Sequence, residues 1–364
     1  LLMADYPTLY YGTDGQPAAG YGEMWTTEDL SKVQGVILYQ QWLETIKPGH
    51  SCYYEHTSSH DIEMHQGTVD LYLCKDGKTI SHSDQYQGDK DIYATFRNRD
   101  PRMYHTIMPP YKVKDGKGDY STWSYTSNPA DREYIDIMGA NESCSNPGIG
   151  MKRLPGQNWS ASLVRRVPNL QGGAQYTIEG KKYGPHAYVA SRSGYYVWKN
   201  WDNWEENYNN AQVNTADKPV FKIEEVLLNY AEAMVNAYDD ITFTNEKCGM
   251  SALQAVNLVR GRDGVKMPAL SETLSPADFL KRLKNERRVE LAFEGHRFWD
   301  LRRWKELDAS KDIYGVKITK GEAGVDYARQ LLDTRSVDDK LYFYPIANTE
   351  LFKNDKLKQN PGWK

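Results

Sequence analysis

The chain has 364 residues, with 45 Lys and Arg against 49 Asp and Glu, so its formal charge is -4 at pH 7. This balance argues against a surface for nucleic acid or anionic lipid, and no apolar run approaches the ~20 residues that span a bilayer. The 27 Tyr and 10 Trp far outnumber the 8 Phe. Because Tyr and Trp join an apolar ring to a polar group, this excess indicates a surface that stacks on another molecule.

The first part of the chain, residues 1–215, has the pattern of a loop-rich region with short strands. Turn-forming DG pairs recur, as at residues 14–15 and 76–77, and apolar runs are short, as in VILY at 36–39. No long alternating pattern predicts a large sheet. The four cysteines lack a CxxC spacing, so their disulfide state stays open. They are Cys52, Cys74, Cys144 and Cys248.

A helical period begins near Phe221. At 100° per residue, polar Glu225 lies on one side of the predicted helix and apolar Leu227 on the other. A second amphipathic helix is predicted over residues 250–262, and the two form a hairpin of the tetratricopeptide type. A single hairpin of this type leaves an apolar face open, because such repeats stack in about three or more copies. Either residues 1–215 cover that face, or its stacking partners lie in sequence outside this chain.

A third helix is predicted to start at Ser275 and Pro276, which suit the N-cap and the first helical position. Its apolar stripe contains charged side chains, and an isolated buried charge costs several kcal/mol. Charges in and just after this stripe therefore predict a buried ion-pair network. Its members are Glu286, Arg287, Glu290, Glu294, Arg297 and Asp300. Because the acid and base of a glycosidase flank a cleft, the helical spacing of these carboxylates favours a structural role over a catalytic one.

Aromatic side chains crowd the end of the loop-rich region, with six of them within residues 195–208. A sugar ring presents an apolar C–H face that stacks on an indole or a phenol, while amides and carboxylates nearby bind its hydroxyl groups. The predicted ligand-binding residues combine these features in loops. They are Trp123, Tyr125, Trp159, Trp201, Asn203 and Trp204. The competing interpretation places these rings in the core, since Trp is usually mostly buried.

Other kinds of site have weaker support in the sequence. His56 and His60 share the spacing of a two-histidine metal site, but TSS at 57–59 makes a poor helix interior and no HExxH is present. We predict a polar loop at these histidines and no metal site. A different place, the acidic loop at Asp239 and Asp240, could hold a structural Ca²⁺, although it lacks the pattern of an EF-hand. Because no nucleophile, phosphate or dinucleotide motif occurs, we predict no catalytic residues and no cofactor.

The stretch ERRVELAFEGHRFWDLRRW at residues 286–304 resembles the signature of SusD/RagB-like proteins, surface lipoproteins of Bacteroidetes that capture nutrients for an outer-membrane transporter. Further segments resemble the same family in chain order. They are NRDPR at 98–102, SGYYVWK at 193–199, KPVFKIEEVLLNYAEA at 218–233, YPI at 344–346 and QNPGW at 359–363. Members of the family begin with a lipoprotein signal and further hairpins. The resemblance therefore implies that this chain corresponds to the C-terminal portion of such a protein.

The fold that the resemblance implies is mainly α and SusD-like, with tetratricopeptide-type helix hairpins packed on a large loop-rich region with short strands. Residues 1–215 are expected to face the ligand, and 216–305 to carry the hairpin and the signature helix. Residues 306–364 are expected to close one compact domain.

The function that the resemblance implies is binding and not catalysis. A cell-surface protein of this family binds an oligosaccharide and delivers it to a SusC-like TonB-dependent transporter. It is expected at the outer membrane, held by a lipid anchor outside this sequence. Two alternatives stay open: an oligopeptide-binding member of the same family, and a tetratricopeptide-like scaffold with no small ligand.

Overall fold

The computed structural model describes residues 21, 24–25, 29–33, 35–43, 64–89, 92–107, 112–113, 123–124, 176–178, 181–183, 193, 195, 197, 199, 215–262, 264–321 and 324–363. Within these ranges the chain forms eight α-helices and eight strands. The helices are α1 (Gln66–Val69), α2 (Ile92–Phe96), α3 (Pro101–Thr106), α4 (Ile223–Tyr238), α5 (Ala252–Gly261), α6 (Pro276–Glu290), α7 (His296–Arg303) and α8 (Asn348–Lys353). The strands are β1 (Val36–Gln40), β2 (Lys112–Val113), β3 (Trp123–Ser124), β4 (Tyr176–Ile178), β5 (Lys181–Tyr183), β6 (Lys218–Lys222), β7 (Asp312–Gly321) and β8 (Gly324–Thr334).

The three long helices begin close to where the sequence predicts them. At the start of α5, Ser251 Oγ accepts a hydrogen bond from the Gln254 backbone N–H, and the Gln254 side chain accepts one from the Ser251 N–H. At the start of α6, Ser275 accepts from the Asp278 N–H and Pro276 takes the first helical position. These caps satisfy backbone donors that a helix leaves unpaired in its first turn.

The apolar faces of α4, α5 and α6 meet in the main core. Leu227 and Met234 of α4, Val256 of α5 and Phe279 of α6 are all buried there. Buried side chains from the N-terminal part complete the same cluster. They are Tyr21, Met24, Trp25, Leu30 and Val33. In the described residues, the apolar face of the hairpin formed by α4 and α5 is therefore covered by α6 and by this N-terminal group. The assignment to the tetratricopeptide type stays a prediction.

A short antiparallel pair joins the loop-rich region to the helices. β1 lies beside β6, with Val36 opposite Lys222 and Gln40 opposite Lys218, and the register shifts on both sides of Leu38. Because β6 continues directly into α4 at Ile223, this pairing sets the direction in which the hairpin leaves the strand.

The segment after residue 305 contains a long β-hairpin that the sequence analysis did not predict. β7 and β8 are antiparallel and pair from Asp312 opposite Thr334 to Gly321 opposite Gly324. The β7 backbone also bonds to Ser193, whose carbonyl accepts from the Val316 N–H at 3.0 Å. A Cβ on Gly315 would lie 2.6 Å from Ser193 Cα, so only glycine fits this close approach. This contact places the hairpin against the loop-rich region.

A tight turn separates α6 from α7. Phe293 and Gly295 both have positive φ, at 61° and 84°. Consequently Glu294 lies in the turn, and the sequence-based placement of this residue on the helical stripe is wrong.

No helix in the described part of the chain is long and apolar enough to cross a membrane.

Candidate functional site

Buried charges link α3 of the loop-rich region to α6. The Arg102 side chain is 1% exposed and contacts Asp100 at 2.7 Å, Glu286 at 2.5 Å and Glu290 at 2.9 Å. Burial disfavours the Arg102 charge, but the carboxylates led by Asp100 and Glu286 outweigh that cost and raise its pKa. The charge of Arg102 is therefore held by three partners within the chain.

The α6 carboxylates have further arginine partners. Glu286 accepts a hydrogen bond from Arg260 at 2.6 Å, and Glu290 accepts one from Arg262 at 2.6 Å. Burial alone would raise the pKa of Glu290, but the guanidinium groups of Arg262 and Arg102 hold that pKa well below its usual range. Both buried carboxylates are therefore ionised at neutral pH.

The same network continues through the turn and into α7. Arg287 Nε donates to Asp300 at 2.7 Å. Glu294 accepts from the ammonium groups of Lys199 and Lys222, each at 2.7 Å. Five of the six residues predicted for the network thus lie in ion pairs. We propose that their role is to hold the loop-rich and helical parts together.

The side chains of the predicted ligand-binding residues lie outside the part of the chain that the structure describes. Trp123 begins β3, but its side chain lies outside the description, as do the other predicted ligand residues. These are Tyr125, Trp159, Trp201, Asn203 and Trp204. Their assignment stays a prediction.

His56 and His60 also lie outside the described ranges. Within those ranges no group of three His, Cys, Asp or Glu could hold a metal ion, and the Cys74 and Cys248 thiols form no disulfide.

A cavity of about 650 Å³ opens beside α7, a size typical of pockets that bury small ligands. Its walls come from α1, α6, α7 and the segment that follows β8. They include Thr68, Arg288, Phe298, Leu301, Val337 and Tyr344. Arg297, the sixth residue predicted for the network, also lines this cavity and makes no ion pair within the described ranges. Among the described residues, the prediction that Arg297 belongs to the ion-pair network is therefore wrong.

Three aromatic rings surround the Arg302 guanidinium beside the cavity, and we call this group the aromatic wall: Phe298, Trp299 and Tyr344. The guanidinium carbon lies 4.4 Å from the Tyr344 ring centroid, 5.1 Å from that of Phe298 and 6.0 Å from that of Trp299. Phe298, Trp299 and Tyr344 are 47%, 56% and 56% exposed. Exposed rings grouped beside a cavity are typical of an interaction site.

The two faces of α7 explain why sequence reasoning missed this wall. Phe298 and Arg302 are four residues apart and share one face of the helix. Asp300 lies on a different face and is buried against Arg287. The conspicuous carboxylates of the signature predict a structural network and no binding surface. The helical spacing of the aromatic residues and Arg302 was the available signal for a second surface.

Comparisons with known proteins agree on one family. The model of the SusD family matches residues 39–363. A SusD-like protein from Bacteroides fragilis NCTC 9343 is 19% identical with a TM-score of 0.58, and the match covers 98% of this chain and 58% of that one. A SusD-like carbohydrate binding protein from the same strain is 23% identical with a TM-score of 0.57, covering 93% and 57%.

These structural matches show that the fold is SusD-like. The chain spans less than two thirds of the length of the solved structures it matches. None of the curated proteins matches it by sequence.

Proposed function

The chain belongs to the SusD family, and from this membership we propose that it is a nutrient-binding protein of the cell surface and not an enzyme. Its ligand is an oligosaccharide, which it delivers to a SusC-like TonB-dependent transporter in the outer membrane of a Bacteroidetes cell. A lipid anchor holds the protein at that membrane. The likeness to a SusD-like carbohydrate binding protein supports a glycan as the ligand.

The aromatic wall beside the cavity is the observation that carries this proposal. The rings of Phe298, Trp299 and Tyr344 are about half exposed, so each leaves part of its surface to solvent. The apolar face of a sugar ring stacks on such a surface, while the polar side chains of the cavity bind its hydroxyl groups. The loop residues predicted from the sequence, Trp123 and Trp201 among them, would extend the same kind of contact to further sugar rings.

A glycan array followed by calorimetry tests the proposal. Tyr344→Ala is expected to weaken binding of the best array ligand about tenfold, because a stacked ring contributes on the order of 1 kcal/mol. Phe352→Ala is the matched control, since this ring is 90% exposed and does not line the cavity. It should leave affinity unchanged. An array with no ligand, or equal effects of the two substitutions, would contradict the assignment.

Delivery to a transporter is tested separately. The chain, expressed with its lipid anchor, should co-purify from outer membranes with a TonB-dependent transporter. Absence of any transporter after mild detergent extraction would argue against delivery and leave the binding proposal in place.

An oligopeptide ligand is the second candidate, favoured by the arginines that line the cavity. Arginine binds carboxylates through paired hydrogen bonds, and a peptide offers a carboxylate at its C-terminus. A peptide library tested beside the glycan array separates the two ligands. Native mass spectrometry that detects no adduct with either mixture would favour a scaffold without a small ligand.

A further inference from the structure

The cavity beside α7 carries an unbalanced positive charge. Four arginines line it, and no Asp or Glu does so among the residues that the structure describes. They are Arg288, Arg297, Arg302 and Arg335. None of the four forms an ion pair within the described ranges. The network on the other side of α6 contrasts with this arrangement, because each of its arginines has a carboxylate partner.

The carboxylates that act on two of the cavity arginines are already paired with other cations. Those that act electrostatically on Arg288 or Arg297 are Asp70, Asp300 and Glu306. Each forms an ion pair with a residue that does not line the cavity. These pairs are Asp70 with Arg329 at 2.7 Å, Asp300 with Arg287 at 2.7 Å, and Glu306 with Lys284. Within the described ranges, the charges of Arg288 and Arg297 are therefore not neutralised by an ion pair of their own.

Titration of the lining residues agrees with this charge imbalance. Burial and the nearby Arg297 lower the pKa of Arg288. Burial, together with Arg288, Arg335 and Arg297, lowers the pKa of His65 to about 4, so its ring is neutral at pH 7. Its Nδ1 atom is buried and has no hydrogen-bond partner in the described part of the chain. A bound anion would relieve the repulsion among these groups.

We propose that this cavity binds the anionic group of an acidic saccharide, either a sugar carboxylate or a sulfate ester. The guanidinium groups hold the anion through paired hydrogen bonds. The sugar ring that carries it stacks on the aromatic wall. A bare inorganic anion would leave unused most of the 650 Å³ and the rings of Phe298 and Tyr344 that line it. The inference rests on the proposed function, because it names the class of glycan that the protein takes.

Calorimetry on the 364-residue chain at low ionic strength tests the charge requirement. The probes are trigalacturonate against its neutral methyl ester, and sulfated lactose against lactose. We expect at least one acidic probe to bind tenfold or more tightly than its neutral partner, and added NaCl to reduce that difference. Preference for trigalacturonate assigns a carboxylate as the anion, and preference for sulfated lactose assigns a sulfate.

Substitutions locate the anion in this cavity. Arg335→Gln changes an exposed arginine without an ion pair, so the fold should be retained, and it should weaken the acidic probe about tenfold but not its neutral partner. Arg335→Lys keeps the charge and should restore part of the affinity. Arg282→Gln is the control, because Arg282 is exposed on the same helix α6 as Arg288 and does not line the cavity.

Each contrary result has a distinct meaning. Equal binding of acidic and neutral probes, or no binding of either acidic probe while neutral glycans bind, overturns this inference and leaves the proposed function standing. An acidic preference that Arg335→Gln and Arg282→Gln reduce equally overturns the location. Binding of a peptide carboxylate with no saccharide bound, on the array or in solution, overturns both the inference and the glycan proposal.

Discussion

Arg287 and Arg288 are neighbours in α6, yet they meet opposite surroundings. Arg287 is buried, donates to Asp300 at 2.7 Å and also donates to Asn229 at 2.7 Å. Arg288 lines the cavity, where its one hydrogen bond within the described residues goes to the Thr68 hydroxyl at 3.4 Å. One side of α6 thus pairs its charges within the chain, whereas Arg288 on the other side forms no ion pair among the described residues.

The difference shows that the same residue type serves two purposes in one helix. A buried charge without a partner costs several kcal/mol, so the charges on the network side must be matched by the fold itself. A charge beside an open cavity keeps part of its hydration, so it can remain unpaired until a ligand arrives. We propose that the network serves stability and the cavity serves binding, so substitutions on the two sides should separate these quantities.

The largest effect is expected on the network side. Glu290→Ala should lower the free energy of unfolding by about 3–5 kcal/mol, because it leaves the buried guanidinium groups of Arg102 and Arg262 without this partner. Urea unfolding monitored by fluorescence measures the change. Glu272→Ala, on an exposed glutamate, is the control and should stay within about 0.5 kcal/mol. A comparably small loss for Glu290→Ala would show that the network is solvated.

Glu224 tests whether every buried charge of the ion-pair network has a close partner of opposite charge. Its carboxylate is buried, 3.9 Å from the Arg262 guanidinium, and both oxygens lack a hydrogen-bond partner in the described part of the chain. Burial raises the pKa of Glu224 from 4.5 to about 7, against the opposing effect of Arg262. The native state therefore binds this proton more tightly than the unfolded state does. Stability from this group is present below pH 4.5 and is lost as the pH rises through 7.

Glu224→Gln should accordingly stabilise the protein at pH 8 by on the order of 2 kcal/mol and change little at pH 4. Unfolding curves of the variant and the parent chain at the two pH values measure this difference. A variant that is less stable at pH 8 would show that the ionised carboxylate is a matched member of the network.

Arg288→Met tests the cavity side through stability. Removing an unpaired, half-buried charge that is repelled by Arg297 should stabilise the ligand-free protein by about 1 kcal/mol. Arg287→Met should instead destabilise it by several kcal/mol, because Asp300 loses a buried partner. Thermal unfolding at low ionic strength compares the adjacent substitutions. Equal losses for both would remove the distinction between the two sides of α6.

The smallest stability effect is expected for Arg335→Gln. Its side chain is exposed and forms no ion pair within the described ranges, so the free energy of unfolding should change by less than about 0.5 kcal/mol. The same variant is expected to lose affinity for an acidic saccharide. A large stability loss measured in urea would mean that Arg335 supports the fold and could not serve as a clean probe of binding.

Sequence reasoning went furthest where contacts are local. The start of α6 follows from Ser275 and Pro276. The helical period of α4 correctly places Leu227 and Met234 on its buried side. It also places the exposed Tyr238 there, however, and does not predict the burial of Glu224.

Sequence reasoning failed at Glu294, because α6 ends at Glu290 and the chain turns through the positive φ values of Phe293 and Gly295 before α7 begins. Of the predicted ligand-binding side chains, none lies in the described part of the chain, and the domain boundaries at 215 and 305 stay predictions.

The sequence by itself determined the family, the three long helices and the need for a buried charge network, because capping, periodicity and the cost of burying a charge depend on neighbouring residues. Only the tertiary structure decided which charge meets which. Arg102 lies 184 positions from Glu286, and Ser193 contacts a β-hairpin more than 100 positions away. The cavity has the same origin, since Arg288 and Tyr344 line it from distant segments. Whether an arginine forms an ion pair or lines the cavity is set by such long-range packing, which local spacing does not encode.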